Sequence, residues 1–119
     1  MKILKILNRV YIADLDSALS FYENLLGTKV EMRFALPQAN LELANVGDIL
    51  LIAGSEESLK QFKDTKGTFL VDSLEDFKDF LQKSGGKILI GPNNVPTGKN
   101  MTAKHPDGTV FEYVQHNKH

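Results

Sequence analysis

The chain carries the same pattern of residues twice. When the second half is set 59 positions after the first, residues of similar kind coincide. Near the end of each half the spacing becomes 61. Two copies at a period longer than that of solenoid repeats predict a duplicated module. The coinciding pairs are Ile12 with Val71, Leu15 with Leu74, Asp16 with Glu75, Phe21 with Phe80, Gly27 with Gly86, Gly47 with Gly108 and Ile49 with Val110.

The first half, about residues 1–54, predicts the order βαβββ. Its helix begins at Asp14 or Asp16 and ends at Gly27, because acidic residues cap helix starts and glycine ends helices. Inside that helix one apolar face recurs at helical spacing. The predicted strands are 3–12, 29–35, 40–44 and 49–53, the helix is 17–26, and the inward residues are Ala18, Phe21, Tyr22 and Leu25.

The second half, about residues 66–116, predicts the same order. Ser73 caps its helix, Gly85 and Gly86 end it, and Pro106 to Gly108 form a hairpin turn. The predicted strands are 67–71, 87–90, 100–104 and 109–115, and the predicted helix is 74–83. A loop is predicted at 92–98, and a short helix or loop between the halves. The inward helix residues are Leu74, Phe77, Phe80 and Leu81. Any two βα units look somewhat alike, but five elements in matching order favour duplication.

Composition limits the function classes. With 119 residues, 14 basic and 15 acidic side chains and a net charge of −1, the chain is expected to form one domain, 1–119, without a nucleic-acid surface. No cysteine is present, which excludes disulfides and thiolate chemistry and is compatible with a cytoplasmic location. The opening residues, Met1 to Leu7, are too short and too charged for a signal peptide or a membrane span.

Three stretches resemble the glyoxalase/bleomycin-resistance/extradiol-dioxygenase superfamily, also called vicinal oxygen chelate proteins. They are VYIADLDSALSFYENLLGTKV, FLVDSLEDFKDFLQKSGGKILIGP and HPDGTVFEYV. The resemblance implies an α+β fold in which two βαβββ modules form a curved mixed sheet around a cleft. In that family, enzymes hold a divalent metal with His or Glu from four strand positions. Other members hold no metal and bind hydrophobic molecules.

Carried onto this chain, the four metal positions are Leu7, Leu51, Lys66 and Glu112. Leucine has no donor atom, and an ammonium group repels a cation. One carboxylate is too few when catalytic metal sites use about three protein ligands. The chain is therefore expected to hold no metal and no other cofactor. The three histidines, His105, His116 and His119, are expected to be exposed surface residues that do not replace the missing ligands.

Polar residues near those positions complete the candidate site. Arg9 and Tyr11 alternate with apolar residues on the first strand, so they lie on the same face as Leu7. They could line the cleft, or Arg9 could form a surface salt bridge while Tyr11 packs in the core. Arg33 precedes a loop that could cover the cleft, where an arginine suits an anionic or planar ligand. Asn100 is assigned turn chemistry only. The candidate ligand-binding residues are Leu7, Arg9, Tyr11, Arg33, Leu51, Lys66 and Glu112.

Glu112 is the unusual residue among them, because a lone carboxylate is costly to bury inside an apolar strand. Alternation places Val110, Glu112 and Val114 on one face and turns Phe111 and Tyr113 toward the helices. One hypothesis pairs Glu112 with the ammonium group of Lys66. The other leaves Lys66 in solvent and gives Glu112 a water or backbone donor.

The function predicted from these residues is metal-free binding of a hydrophobic or amphipathic small molecule. The alternative is a glyoxalase-type lyase, isomerase or dioxygenase with a divalent metal, so enzymatic activity is left open. A third possibility is an interaction module without a ligand, which the fold alone does not distinguish. The ligand is not predicted.

The resemblance also implies a homodimer, and the edges of each module's sheet offer places for a partner. Light scattering at micromolar concentration should therefore give twice the chain mass. A monomer mass under those conditions would refute the prediction.

Overall fold

The computed structural model describes residues 1–117 and has the predicted α+β class, with two βαβββ modules in succession. A short helix, α2, lies between the modules, and a single 3₁₀ turn, Pro37–Ala39, joins β2 to β3. The first module comprises β1 Ile3–Ile12, α1 Leu15–Leu26, β2 Met32–Leu36, β3 Leu41–Val46 and β4 Ile49–Ala53, and is followed by α2 Glu56–Leu59. The second comprises β5 Thr65–Val71, α3 Leu74–Lys83, β6 Lys87–Val95, β7 Gly98–Lys104 and β8 Val110–His116.

The chain divides into two compact units, and the division falls within β1. One unit is Asn8–Asp64, and the other joins Met1–Leu7 to the chain from Thr65 onward. The second part of β1 pairs with β4, from Asn8 to Ile12. Ahead of β1, the Asp72 N–H donates to the Lys2 carbonyl, which brings the start of the chain to the end of β5. One strand thus belongs to both units.

The unit Asn8–Asp64 has the strand order β1-β4-β3-β2. Strand β4 runs parallel to β1, and the other two pairs are antiparallel. Asp14 caps α1 by accepting from the Ser17 N–H, and Gly27 ends the helix in the left-handed conformation with φ 66°. One face of the sheet packs on α1 through a core cluster of Leu15, Leu19, Ala44, Val46, Leu51 and Ala53.

The buried face of α1 is the predicted one only in part: Ala18 and Tyr22 pack against the core cluster as predicted, but the other two predicted residues do not. Phe21 and Leu25 are exposed, and Leu15 and Leu19 are buried in their place. The helix begins at Leu15, so the apolar stripe at i, i+3, i+4 and i+7 starts there and not at Ala18. In α3, which begins at the predicted residue, Leu74, Phe77 and Leu81 are buried as predicted, but Phe80 is exposed because it lies outside the stripe that starts at Leu74.

The other unit has the strand order β5-β8-β7-β6, with β5 and β8 parallel. Ser73 caps α3 as predicted, by accepting from the Asp76 N–H. Helix α3 packs on one sheet face, and the buried cluster there is Val71, Leu74, Phe77, Leu81, Met101, Ala103 and Tyr113. No helix within residues 1–117 is long and apolar enough to cross a membrane.

The predicted loop at 92–98 is mostly strand. β6 continues to Val95, and the turn to β7 is confined to Pro96 and Thr97. The pairing of β6 with β7 changes register between Ile88 and Ile90 and again between Ile90 and Asn93. These irregularities accommodate Pro92, which cannot donate to a ladder, without ending the strand.

Gly98 should be the glycine least tolerant of a side chain. Its φ is 150°, and an added Cβ would lie 2.1 Å from the Gln115 carbonyl oxygen on β8. Gly85 has φ 91°, but nothing lies within 4 Å of its added Cβ. Urea unfolding should therefore show that Gly98→Ala lowers the free energy of unfolding by more than about 4 kcal/mol, which is among the largest effects of single substitutions. Gly85→Ala should lower the free energy of unfolding by about 1–2 kcal/mol, from backbone strain alone. Equal losses of stability in the two variants would contradict the steric argument.

Candidate functional site

Strand β8 presents two chemically different faces. Phe111 and Tyr113 point toward α3, as predicted, and their rings lie 4.9 Å and 5.2 Å from the ring of Phe69. The Tyr113 ring also lies 5.7 Å from that of Phe77 on α3. Because strand residues alternate, Glu112 lies on the opposite face of the sheet.

Glu112 is half-buried, and both of its carboxylate oxygens accept hydrogen bonds from side chains on neighbouring strands. Thr68 Oγ1 on β5 donates to Oε1 over 3.0 Å, and Asn100 Nδ2 on β7 donates to Oε2 over 2.9 Å. The Thr68 residue is almost fully buried. We call these three residues the Glu112 cluster. Two donors from two different strands fix the plane of the carboxylate and offset part of its desolvation cost.

Strand register explains the cluster. Thr68 lies directly opposite Glu112 on the parallel strand β5. Asn100 pairs with Val114 on the antiparallel strand β7, so it lies diagonally across from Glu112 on the same face. The sequence interpretation missed Thr68 and assigned Asn100 to turn chemistry, which is wrong. The available signal was alternation, since Asn100 and Thr102 occupy the β7 face opposite Met101 and Ala103.

The ion pair between Lys66 and Glu112 is not what the structure shows. Lys66 is exposed, and within residues 1–117 no salt bridge joins it to Glu112. The register of β5 against β8 shifts between Thr65 and Thr68, which places Thr68 opposite the carboxylate. The solvent alternative for Lys66 is therefore correct, but the donors to Glu112 are side chains and not only water or backbone groups.

The spacing of 61 between the halves predicts that Leu51 is the counterpart of Glu112 in the first module. The register of the parallel strand pairs corrects this equivalence. Arg9 pairs with Leu50 in the first module as Thr68 pairs with Glu112 in the second. The counterpart of Glu112 is therefore Leu50, which is buried. Leu51 is fully buried on the opposite face, in the cluster under α1. The spacing between equivalent residues in the last strands of the two modules is one residue longer than predicted. Because side chains alternate along a strand, an error of one residue assigns a side chain to the wrong face of the sheet.

Arg9 and Tyr11 lie on the face of β1 opposite α1, because Val10 and Ile12 pack on the α1 side. Arg9 NH1 donates to the Tyr11 hydroxyl over 3.1 Å, and that hydroxyl donates to the Phe62 carbonyl over 2.6 Å. These contacts link β1 to the segment after α2. Leu7, the next residue of this face toward the start of the chain, is buried.

Arg33 lies on the other face of its unit. Its partner on β3 is Ala44, which belongs to the cluster under α1. The guanidinium group forms salt bridges of 2.8 Å with Asp16 on α1 and 3.4 Å with Glu42 on β3. All three side chains are exposed, so the arrangement is a surface ion-pair network that connects helix and sheet. Arg33 is not brought together with Arg9 and Tyr11.

The prediction of exposed histidines is wrong for His105 and His116. His105 Nε2 lies 2.6 Å from the Tyr113 hydroxyl oxygen, and its ring stacks on Phe111 with centroids 4.9 Å apart. His116 is half-buried at the end of β8, where it pairs with Gly98 on β7. His119 lies outside the described residues.

The donor atoms around Glu112 do not fit a divalent metal. The cluster offers one carboxylate, while the nearby Asn100 presents its amide nitrogen and Thr68 a hydroxyl that is already donating. Within residues 1–117, no group of three or more His, Cys, Asp or Glu side chains is placed to hold a metal ion. The absence of a metal from the protein remains a prediction.

Burial raises the pKa of the Tyr113 phenol from its ordinary 10.0 to about 12. The folded state therefore favours the neutral phenol. The contribution of this protonated phenol to the stability of the folded protein is complete below pH 10 and should be lost as the pH rises through about 12. Ultraviolet titration should show a late tyrosine component that disappears in Tyr113→Phe and remains in Tyr22→Phe. A titration curve that is the same in wild type and Tyr113→Phe would contradict the assignment.

Comparisons with known proteins agree with this architecture. Residues 2–113 match the model of the Glyoxalase/Bleomycin resistance protein/Dioxygenase superfamily. A crystal structure of an uncharacterized protein from Methanosarcina mazei is 60% identical, with a TM-score of 0.95, and the alignment covers 100% of this chain and 97% of that one. No protein with a curated description matches the chain.

Two more distant structures share the fold. Methylmalonyl-CoA epimerase from Mycobacterium tuberculosis is 17% identical, with a TM-score of 0.75, over 98% of this chain and 90% of its own. A Streptomyces coelicolor methylmalonyl-CoA epimerase in complex with 2-nitronate-propionyl-CoA is 17% identical, with a TM-score of 0.71, and the alignment covers 97% of this chain and 96% of that one. The family match spans nearly all of the chain, and the protein therefore belongs to the glyoxalase/bleomycin resistance protein/dioxygenase superfamily.

Proposed function

We propose that this protein is a metal-free member of its superfamily that binds an amphipathic small molecule, with the Glu112 cluster as the polar anchor. One observation carries the proposal: a half-buried carboxylate is held in a fixed orientation by Thr68 and Asn100. Ligand sites are mostly apolar, with a few polar groups that fix orientation. Val110 and Val114 flank Glu112 on its face of β8, so apolar side chains lie on either side of this polar anchor along the strand.

The chemistry of the anchor indicates a ligand class. An ionised carboxylate can accept hydrogen bonds but cannot donate them. A ligand would therefore be recognised through a hydrogen-bond donor, such as a hydroxyl, an amide N–H or an ammonium group. A ligand carboxylate or phosphate would meet like charge at Glu112 and is disfavoured.

The alternative function is a glyoxalase-type enzyme with a divalent metal. The epimerases named above have the same fold as this chain. At 17% sequence identity, the similarity supports a common fold but not a common activity. Such an enzyme would need donor atoms from this chain, and the residues around Glu112 do not supply them. A homodimer in the cytoplasm remains part of the proposal, supported by the resemblance and the absence of cysteine.

Ligand screening tests the anchor. Matched amines, alcohols and carboxylic acids on the same aromatic scaffolds would be screened by thermal shift, and affinities measured by calorimetry. We expect amines or alcohols, but not the matched acids, to raise the melting temperature. Glu112→Gln should weaken the best of these ligands at least about 10-fold, or about 1.4 kcal/mol. The control is Glu75→Gln on α3, an exposed acidic residue. Equal affinities for both variants, or binding of the acids alone, would contradict the proposal.

Elemental analysis tests the metal-free assignment. After dialysis, the purified protein should carry far less than one zinc, nickel, manganese or iron ion per chain, because no group of three or more His, Cys, Asp or Glu side chains within residues 1–117 is placed to hold a metal ion. A stoichiometric ion that is lost in Glu112→Ala would overturn the assignment and favour the enzyme alternative.

A further inference from the structure

Two lysines face each other at one end of the sheet face that carries the Glu112 cluster. Lys87 on β6 lies directly opposite Lys104 on the antiparallel strand β7. Of their neighbours, Ala103 belongs to the buried cluster under α3 and Ile88 packs against it. Because side chains alternate along a strand, the two lysines lie on the other face of this sheet, which is the face of Glu112. We call Lys87 and Lys104 the lysine pair.

Pairing within the protein does not explain the lysine pair. Like charges directly opposite each other destabilise an antiparallel strand pair, whereas opposite charges stabilise it. Both lysines are exposed, and within residues 1–117 neither side chain forms a salt bridge or a hydrogen bond. Two neighbouring ammonium groups, neither of them paired with a carboxylate, form a site that an anion would neutralise through charge-assisted hydrogen bonds.

The lysine pair lies close enough to Glu112 for one small molecule to reach both. Thr102 on β7 lies directly opposite Glu112, and Lys104 is two residues further along the same strand and on the same face. Diagonal neighbours of this kind have their Cα atoms about 7–8 Å apart. Ile90 on β6 lies opposite Thr102 and exposes 59% of its surface. Thr102 and Ile90 therefore offer a methyl group and an apolar surface beside the path between the two charged places.

We propose that the ligand of the Glu112 cluster also carries a phosphate monoester, which the lysine pair binds. This inference rests on the proposed function and deepens it: Glu112 accepts a hydrogen bond from one end of the ligand, and the two ammonium groups donate to the other end. A phosphate monoester carries a charge of about −1.5 to −2 at pH 7 and three acceptor oxygens, which suits two ammonium groups. The separation between Lys104 and Glu112 keeps the phosphate away from the carboxylate. The ligand class is therefore an amino or hydroxy compound whose short apolar spacer ends in a phosphate.

Three compounds with the same spacer test the two ends of the site separately. Aminopentyl phosphate has both groups, pentylamine has only the donor, and pentyl phosphate has only the anion. Calorimetry at low ionic strength, where screening is weakest, should show that aminopentyl phosphate binds at least about 10-fold more tightly than either of the others. Aminoethyl phosphate has a spacer too short for the separation and should lack this advantage.

Two double variants locate the phosphate. Lys87→Gln with Lys104→Gln should reduce the affinity for aminopentyl phosphate to the affinity for pentylamine. The control is Lys83→Gln with Lys99→Gln, which changes the net charge equally at exposed lysines. Lys83 ends α3, and Lys99 lies on the face of β7 opposite the lysine pair. The control should keep the full advantage of aminopentyl phosphate, and far-ultraviolet circular dichroism checks that both variants are folded.

The outcomes distinguish this inference from the proposed function. If pentylamine binds through Glu112 but the phosphate adds no affinity, the inference is wrong and the Glu112 anchor stands. The same holds if the lysine-pair variant keeps the advantage, if the control loses it equally, or if aminoethyl phosphate binds as tightly. Pentyl phosphate that binds as tightly as aminopentyl phosphate, with no effect of Glu112→Gln, would overturn both the inference and the anchor. If none of the compounds binds, both proposals are wrong.

Discussion

Parallel pairing between the first and last strand of each module organises this fold. Two parallel strands need a long connection between them. In each module that connection consists of a helix and two further strands, so the last strand enters between the first strand and the third. The result is the order first-fourth-third-second in both modules. The strand that is last in sequence thus becomes an inner strand with neighbours on both edges.

This position determines the chemistry of Glu112. A carboxylate on an outer strand could draw donors from one side only. On β8, Glu112 has β5 and β7 beside it, and one donor comes from each, Thr68 and Asn100. The corresponding strand of the first module has Leu50 at the equivalent place. The two modules therefore have the same strand order, but this place holds a polar residue in one and an apolar residue in the other.

Much of the backbone could be predicted from the sequence, because turn and cap chemistry is local. Two strands, Ile3–Ile12 and Ile49–Ala53, and the helix Leu74–Lys83 have the predicted bounds. The buried face of α1 could not be assigned once the helix start was placed two residues late. The environment of Glu112 was missed for a different reason. The place of Thr68 depends on a register shift in β5, which leaves no periodic signal, whereas alternation along β7 does indicate the face of Asn100 but not its partner. The stacking of His105 on Phe111 depends on the same long-range geometry.

The sharing of β1 between two units has a consequence for the newly made chain. Ile3–Leu7 is synthesised before Asn8–Asp64, yet the strand that lies beside it, Thr65–Val71, is made only after the whole of Asn8–Asp64. Until then an apolar stretch of backbone has nothing to pair with, although Asn8–Ile12 can already pair with β4. During synthesis the two parts of one strand would therefore become ordered at different times, and Ile3–Leu7 would reach its native hydrogen bonds later than Asn8–Ile12, although it is made earlier.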